Sequence, residues 1–557
     1  MAARKGRRRQ GADGVATGGR SRPDPTGQGA LARLADGGDF VSQAEPRTGT
    51  LASRLRRGTL WGAVNIGLSR LLQFVTTLVL ARLVAPEHFG ALAVALVVQT
   101  IAVNIAELGA TAALGRGDRD PDEIAPTVFT ISLLTSGLLT ALVIILAPLL
   151  AAVLGDPGAT PVVQVMALTV LLSGLTSVPT ALIWRDFLQK RRILVDVLNA
   201  LVALGLVVPM ALWGWGAMAL ALSRVGGQLT ATIGYWIISP KRYKPGFNRA
   251  EAKEILRLGL PLAMANLVVF VTLNLDYMVI GPALGPVNLG LYLLAFNLAS
   301  TPSNIITAII RTVAVPTFGR LNASGNLREA AVKVTAGIAY VGFPVSALLT
   351  ALALPLIVAF YGERWSAAAA AMVSLGLFGA ARILSEVFAD LCVGAGKTVG
   401  LFWVQVVWLL ALAPAMFFGV RLGGIAGAGM AHVVVTWFVV IPVYLVLVSK
   451  STGARILSLV RTALPAAAAA VACGVVGWLV ASWISIAIFA VAAGAVAGLA
   501  VYAACTYRQV RTLLGGLRQT SPDGVAPLDP AMAAEALTAA DLTADDLTAA
   551  DLTGERK

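Results

Sequence analysis

Hydrophobic residues in this chain fall in long runs, not in the narrow stripes of water-soluble helices. From about residue 59 onward, apolar stretches of about 20 residues follow one another, separated by short polar, glycine- or proline-containing breaks. A helix rises about 1.5 Å per residue, so about 20 residues cross the roughly 30 Å of hydrocarbon in a bilayer. The runs predict spanning helices at about 59–83, 90–112, 126–154, 162–184, 193–214 and 216–239. After a polar stretch at 240–257, a second series is predicted at about 258–281, 289–317, 331–361, 366–392, 401–420 and 423–448. Two alanine-rich spans, at about 463–482 and 484–507, close the apolar part. The pattern is that of an all-α polytopic membrane protein with about fourteen transmembrane helices.

Composition agrees with the pattern. Of 557 residues, 57% are hydrophobic and 13% charged, and the mean hydropathy is +0.80. Soluble proteins carry about 25% charged residues. The net charge of +14 is explained by where the cations sit. With the N-terminus inside, the inner connectors hold Arg116, Arg119, Arg185, Lys190, Arg191, Arg192, Lys241, Arg242, Lys244, Arg249, Lys253, Arg257, Arg320, Arg328, Lys333, Lys397, Lys450, Arg455 and Arg461. The outer connectors hold Arg82, Arg364 and Arg421. Nineteen against three is the positive-inside bias, and it predicts both termini in the cytoplasm. The cations therefore orient the chain, and no nucleic-acid partner is expected.

The ends read differently. Residues 1–57 are rich in Arg, Gly and Asp without hydrophobic periodicity, and are expected to form a disordered basic cytoplasmic arm. No apolar core follows Met1 to Gln10, so the first helix is expected to serve as the insertion signal. Residues 508–557 turn mostly acidic and repeat a five-residue unit at Leu537, Leu542 and Leu547. That period fits no coiled coil and predicts a disordered cytoplasmic tail. Cys392, Cys473 and Cys505 match neither a disulfide framework nor a metal site. Gly394-Ala-Gly396-Lys397-Thr398 resembles a phosphate-binding loop, but Leu391 stands at the required first glycine and no strand precedes it. With only His88 and His432 present, a histidine triad or zinc site has almost no material. No cofactor and no metal is expected.

An internal match organises the membrane part. Leu83-Val-Ala-Pro86-Glu-His-Phe-Gly90-Ala-Leu-Ala-Val-Ala95 aligns without gaps to Ala283-Leu-Gly-Pro286-Val-Asn-Leu-Gly290-Leu-Tyr-Leu-Leu-Ala295. Gly214-Trp-Gly-Ala-Met-Ala219-Leu-Ala221 pairs in the same way with Gly424-Ile-Ala-Gly-Ala-Gly429-Met-Ala431. Spans 1–2 thus correspond to 7–8, and 5–6 to 11–12. Six spans is an even number, so the halves have the same orientation and form a parallel repeat. The organisation that follows is an N-lobe at 58–239, a cytoplasmic inter-lobe linker at 240–257, a C-lobe at 258–449 and a terminal helix pair at 450–507.

These residues carry a resemblance. Leu80-Ala-Arg82-Leu83 through Pro86, Phe89 and Gly90 is similar to the opening signature of polysaccharide-transport flippases. Asn274-Leu-Asp276, Gly290-Leu-Tyr292, Pro302 and Pro316 resemble that family's seventh and eighth helices. The family comprises the oligosaccharide-lipid exporters of the multidrug/oligosaccharidyl-lipid/polysaccharide superfamily, and the resemblance covers about 59–450. It implies two six-helix lobes around a central cavity that opens to each side in turn, in a bacterial cell membrane. It also implies a polyprenyl-diphosphate-linked oligosaccharide as cargo, with polysaccharide polymerase or glycosyltransferases as neighbours in the same pathway. Lipid II flippases also carry two extra C-terminal helices, as this chain does, but their arginine-rich signature in the first hairpin is incomplete here.

Ionisable residues at membrane depth require a cavity or a partner. Counted from the helix ends, Arg70 lies about 18 Å from the inner face, Arg224 about 12 Å and His432 about 14 Å below the outer face. A diphosphate leaving water needs fixed guanidinium groups, which makes Arg70 and then Arg224 the candidates to bind it. An ion pair of Arg70 with Glu107 or Asp196 is the structural alternative. Asn266, Asn274 and Asp276 on the seventh span are candidates for sugar hydroxyls, or equally for bonds between helices. His432 is a candidate coupling-ion site or a packing residue. Arg382, Glu386 and Asp390 share one helix face, where Arg382 and Glu386 are expected to pair.

Two other function classes compete with transport of a lipid-linked glycan. A membrane glycosyltransferase or ligase needs acids and a large outer loop, whereas the outer connectors here are short and their acids are only Glu87, Asp156 and Glu363. A multidrug exporter of the cation-coupled branch wants a deep carboxylate, whereas the deepest charges here are arginines. A transporter without catalytic chemistry is the expectation.

Overall fold

The computed structural model describes residues 74–107, 114, 121–186, 188–323, 327–395 and 397–519. The arm at 1–57, the first half of the first span with Arg70, and the tail beyond 519 lie outside the described residues. Among the described residues the chain is helical, joined by short turns. Helix α1 (Phe74–Leu83) is the described part of the first span. It is followed by α2 (Pro86–Glu107), α3 (Pro121–Val153), α4 (Thr160–Arg185), α5 (Gln189–Leu212) and α6 (Gly216–Ile238). The stretch Arg249–Ala323 is broken at Gly285 into α7 (249–284) and α8 (286–323). Helices α9 (Leu327–Ala351) and α10 (Ala353–Tyr361) form the ninth span, interrupted at Leu352. After α11 (Ala368–Gly394), the run Thr398–Val435 breaks at Gly423 and Gly424 into α12 (398–422) and α13. Helix α13 starts at 425 and continues through a π turn, Thr436–Val440, to Thr452. Helices α14 (Ile456–Ser482) and α15 (Ala487–Gln519) complete the fold. The protein is a multi-pass membrane protein of about fourteen spans, and each described span falls where the apolar runs predict it.

The breaks follow from local chemistry. Proline opens α2 and α3, where its missing N–H has no helical partner to lose. Between α7 and α8, Gly285 takes φ 79°, a left-handed conformation that costs glycine little. At the turn into α4, the Asp156 carboxylate accepts from Gly158 N at 3.1 Å. Inside the spans, hydroxyls bond back to carbonyls or across to a neighbouring helix. Thr140 donates to Ala167 O at 3.2 Å, and Trp236 Nε1 to Leu175 O at 3.0 Å. Such bonds keep polar atoms satisfied where lipid offers no partner.

The polar stretch at 240–257 divides into an extended part and the start of α7. It is extended only to residue 248, and α7 begins at Arg249. Ala252 and Ile255 explain the earlier start: both are buried among Ile124, Ala125 and Val128 of α3. The segment is tied to the start of α3. Lys241 Nζ meets the Asp122 carboxylate at 2.6 Å, Tyr243 OH donates to the same group, and Thr130 Oγ1 donates to Gly246 O at 2.6 Å. Helices α14 and α15 pack against each other and against the ninth span, and Tyr502 OH donates to Tyr340 O at 2.9 Å.

Candidate functional site

The two halves of the internal repeat meet each other. A Cβ on Gly90 of α2 would sit 2.0 Å from the Pro286 carbonyl oxygen of α8. A Cβ on Gly290 of α8 would sit 2.0 Å from the Pro86 oxygen of α2. The backbones therefore cross at the tightest approach possible, and only glycine fits at either position. Beside this crossing, Leu154 O lies 2.2 Å from where a Gly281 Cβ would be. Phe89 packs edge-on against the fully buried Trp365, with ring centroids 5.1 Å apart. These contacts lie at the end of the bundle opposite the lysine- and arginine-rich connectors.

Within the second half, Asp276 of α7 and His432 of α13 are buried together. Asp276 is 1% exposed and His432 6%. Asp276 Oδ2 lies 3.8 Å from His432 Nε2. Neither that oxygen nor either imidazole nitrogen has a hydrogen bond among the described residues. Asp276 Oδ1 accepts from the Tyr277 N–H at 3.0 Å. Beside the carboxylate Tyr277 meets Tyr292 edge-on and Tyr292 stacks on Phe296, and Phe378 covers the imidazole at 4.8 Å. A buried carboxylate is costly unless a proton or cation accompanies it, and His432 supplies the second group of such a site. The π turn begins four residues after His432, a local irregularity often found at functional positions. Nearby, Arg382 Nε meets Glu386 at 3.1 Å, the pairing their spacing predicts, and Arg382 Nη2 donates to Asn304 at 3.0 Å.

Arg224 stands apart. It has no hydrogen bond or ion pair among the described residues. Its side chain is exposed. Ile233, 54% exposed, marks the outward face of α6. Nine residues separate the two, about two and a half turns, so Arg224 points to the side opposite Ile233. The buried Ala231 and Tyr235 lie on the same side of α6 as Arg224.

The other sequence candidates distribute as follows. Asn274 is half-buried and donates to Phe270 O within its own helix at 3.0 Å. Asn266 has no described side chain, and neither has Glu107. Asp196 accepts from Tyr235 OH and lies 3.4 Å from Arg192. Asp276 is buried, and its neighbour is the coupling candidate His432. Trp365 and Asn304 carry no mark in the sequence reading, and Tyr292 enters it only within the Gly290-Leu-Tyr292 motif. For Trp365 a signal was present, since Arg364 beside it is one of the three cations against the charge bias.

A family model described as "Polysaccharide biosynthesis protein" matches residues 79–370, more than half of the chain. The chain belongs to the polysaccharide biosynthesis protein family. The matched region runs from α1 into α11 and holds the glycine crossing, Arg224 and Asp276. Among curated members with related sequence, the succinoglycan biosynthesis transport protein ExoT of Rhizobium meliloti (strain 1021) is 27% identical over 68% of this chain and 76% of its own length. The lipopolysaccharide biosynthesis protein WzxC of Escherichia coli (strain K12) is 23% identical over 72% of this chain and 83% of its own. The teichuronic acid biosynthesis protein TuaB of Bacillus subtilis (strain 168) is 21% identical over 70% and 81%. Among solved structures, the lipid II flippase MurJ in an inward closed conformation superposes with a TM-score of 0.70 at 13% identity, over 82% of this chain and 99% of that one. An inward-facing multidrug resistance MATE family transporter of the MOP superfamily gives 0.57 at 17% identity, over 71% and 96%. At these identities the two structures establish a shared fold.

Proposed function

We propose that this protein moves a polyprenyl-diphosphate-linked oligosaccharide from the inner to the outer leaflet of a bacterial cell membrane by alternating access, without catalytic chemistry. Both termini are then cytoplasmic, and the end that carries the glycine crossing is the outer one. The observation that carries the reading is Arg224, an unpaired guanidinium at membrane depth on the side of α6 away from lipid. Charge-assisted bonds from such a group replace the water a diphosphate must leave behind. Arg70 is proposed as its partner on the first span, and Asn266 and Asn274 as groups for the glycan. The related proteins whose names concern succinoglycan transport and lipopolysaccharide biosynthesis support a glycan cargo.

The same reading makes Asp276 and His432 the coupling site, a carboxylate and an imidazole that share a proton while the C-lobe changes shape. The test is a flipping assay with purified protein in vesicles carrying a defined polyprenyl-diphosphate oligosaccharide, with lipid II as the second arm. Arg224→Ala is expected to abolish flipping at unchanged membrane abundance, and Arg224→Lys to restore it only in part. Full activity of Arg224→Ala removes the residue from the cargo path, and transport of lipid II alone reassigns the cargo.

A further inference from the structure

The two lobes cap each other's helices. Helix α10 ends at Gly362, with φ 99°, leaving carbonyls of its last turn without helical partners. Arg82, at the end of α1, fills that gap from the other lobe. Its Nε donates to Phe360 O at 2.8 Å and its Nη2 to Ala359 O at 2.6 Å. The exchange is reciprocal. The Ala81 carbonyl at the end of α1 accepts from Arg364 Nη2 and, at 2.7 Å, from Trp365 Nε1, both just beyond α10. Each arginine sits at a helix C-terminus, where the peptide dipoles favour a cation. These are two of the three arginines that stand against the inside bias of positive charge, and orientation gains nothing from them there.

We infer that Arg82 and Arg364, with Trp365, form a reciprocal latch that holds the outer gate shut, and that its release opens the exit for cargo. The inference rests on the alternating-access reading and its orientation. The chemistry suits a contact that must break repeatedly. The arginine side chains are exposed and can exchange their bonds for water, whereas the bond from Trp365 to Ala81 is buried. At the glycine crossing beside them the contact is backbone on backbone, and parting the lobes there also draws Phe89 away from the buried Trp365. The latch sets the balance between closed and open outer ends, while cargo is gripped elsewhere.

The experiment uses the full chain with Cys392, Cys473 and Cys505 replaced by alanine and a reporter Ala93→Cys, buried one turn inward from Gly90. A membrane-impermeant maleimide is applied from outside. Arg82→Gln with Arg364→Gln is expected to speed labelling by about tenfold or more, since each lost bond to a charged donor is worth roughly that factor. Arg82→Lys falls between, and Gly90→Ala reaches the same result through the crossing. Removing outer positive charge reinforces the native topology, and a separate Lys244→Cys reporter, unlabelled from outside, verifies the fold. Unchanged labelling in the double variant, or labelling that rises only together with exposure of Lys244→Cys, overturns the latch. The readout needs no cargo. Fast labelling in a protein that moves no lipid-linked sugar keeps the latch and removes the cargo reading, whereas unchanged labelling in a protein that flips removes the latch alone.

Discussion

Asp276 and His432 show how far single residues can be read from sequence. Both stood out as ionisable groups in apolar runs, yet their pairing joins positions 156 residues apart and depends on how α7 and α13 are rotated. Those helices are apolar on nearly every side, so no amphipathic stripe tells which face meets which neighbour. A polar residue in such a helix announces that it needs a partner without naming it. Tyr292 and Phe378, which close the site, look in sequence like ordinary core aromatics. If the pair carries the coupling proton, Asp276→Asn and His432→Ala are each expected to slow flipping by at least about tenfold while cargo binding persists, because binding and coupling use separate groups. The double variant should be no slower than either single one, since one shared proton is lost once. Flipping rates and cargo binding measured on the same preparations check this, and additive losses would dissolve the pair.

At the scale of elements, the sequence was legible wherever length and punctuation decide the structure. The apolar runs locate most span ends to within a few residues, with α7 starting earlier and α15 ending later, and the Pro86/Gly90 and Pro286/Gly290 turns expose the repeat. That the two turns touch each other was beyond reach, because a repeat defines equivalence and not contact. The linker is the instructive departure. Its polar composition reads as a linker to 257 with the seventh span from about 258, and within it Ala252 and Ile255 find an apolar surface on α3, so that α7 begins at Arg249. The extended part is held by Asp122, whose carboxyl is kept below the usual carboxylate range by hydrogen bonds from Lys241 and Tyr243. A depressed carboxyl contributes fully above its unfolded value and is lost only as pH falls through the lowered one. Docking of the linker is therefore expected to be flat from about pH 5 to 8. Asp122→Asn should speed tryptic cleavage after Lys241 and Arg242 several-fold in purified protein, with the same resistance elsewhere. Equal cleavage of both forms would mean the tie holds nothing.

For the whole molecule, orientation follows from the distribution of charge, and gating and cargo direction depend on it. The nineteen cations of one set of connectors hold the chain by mass effect, and no single one decides it. The exceptions carry more information than the rule: two of the three cations on the other side bridge the lobes, so their placement answers to gating instead of insertion. The whole-molecule prediction uses the turn between α7 and α8. In a cysteine-free protein, Gly285→Cys should react with an impermeant thiol reagent from outside intact cells, and Lys244→Cys only after the membrane is opened. Gly285 has φ 79°, but a Cβ added there would meet no atom within 4 Å, so the substitution strains one turn without displacing a neighbour. Gly423→Cys, at the matching turn of the second repeat pair and with open space around it, gives an unstrained second reporter on the same side. Labelling of both turns with protection of Lys244→Cys fixes the crossing at the outer face. The reverse pattern would invert the bundle, put the latch in the cytoplasm, and turn export into uptake.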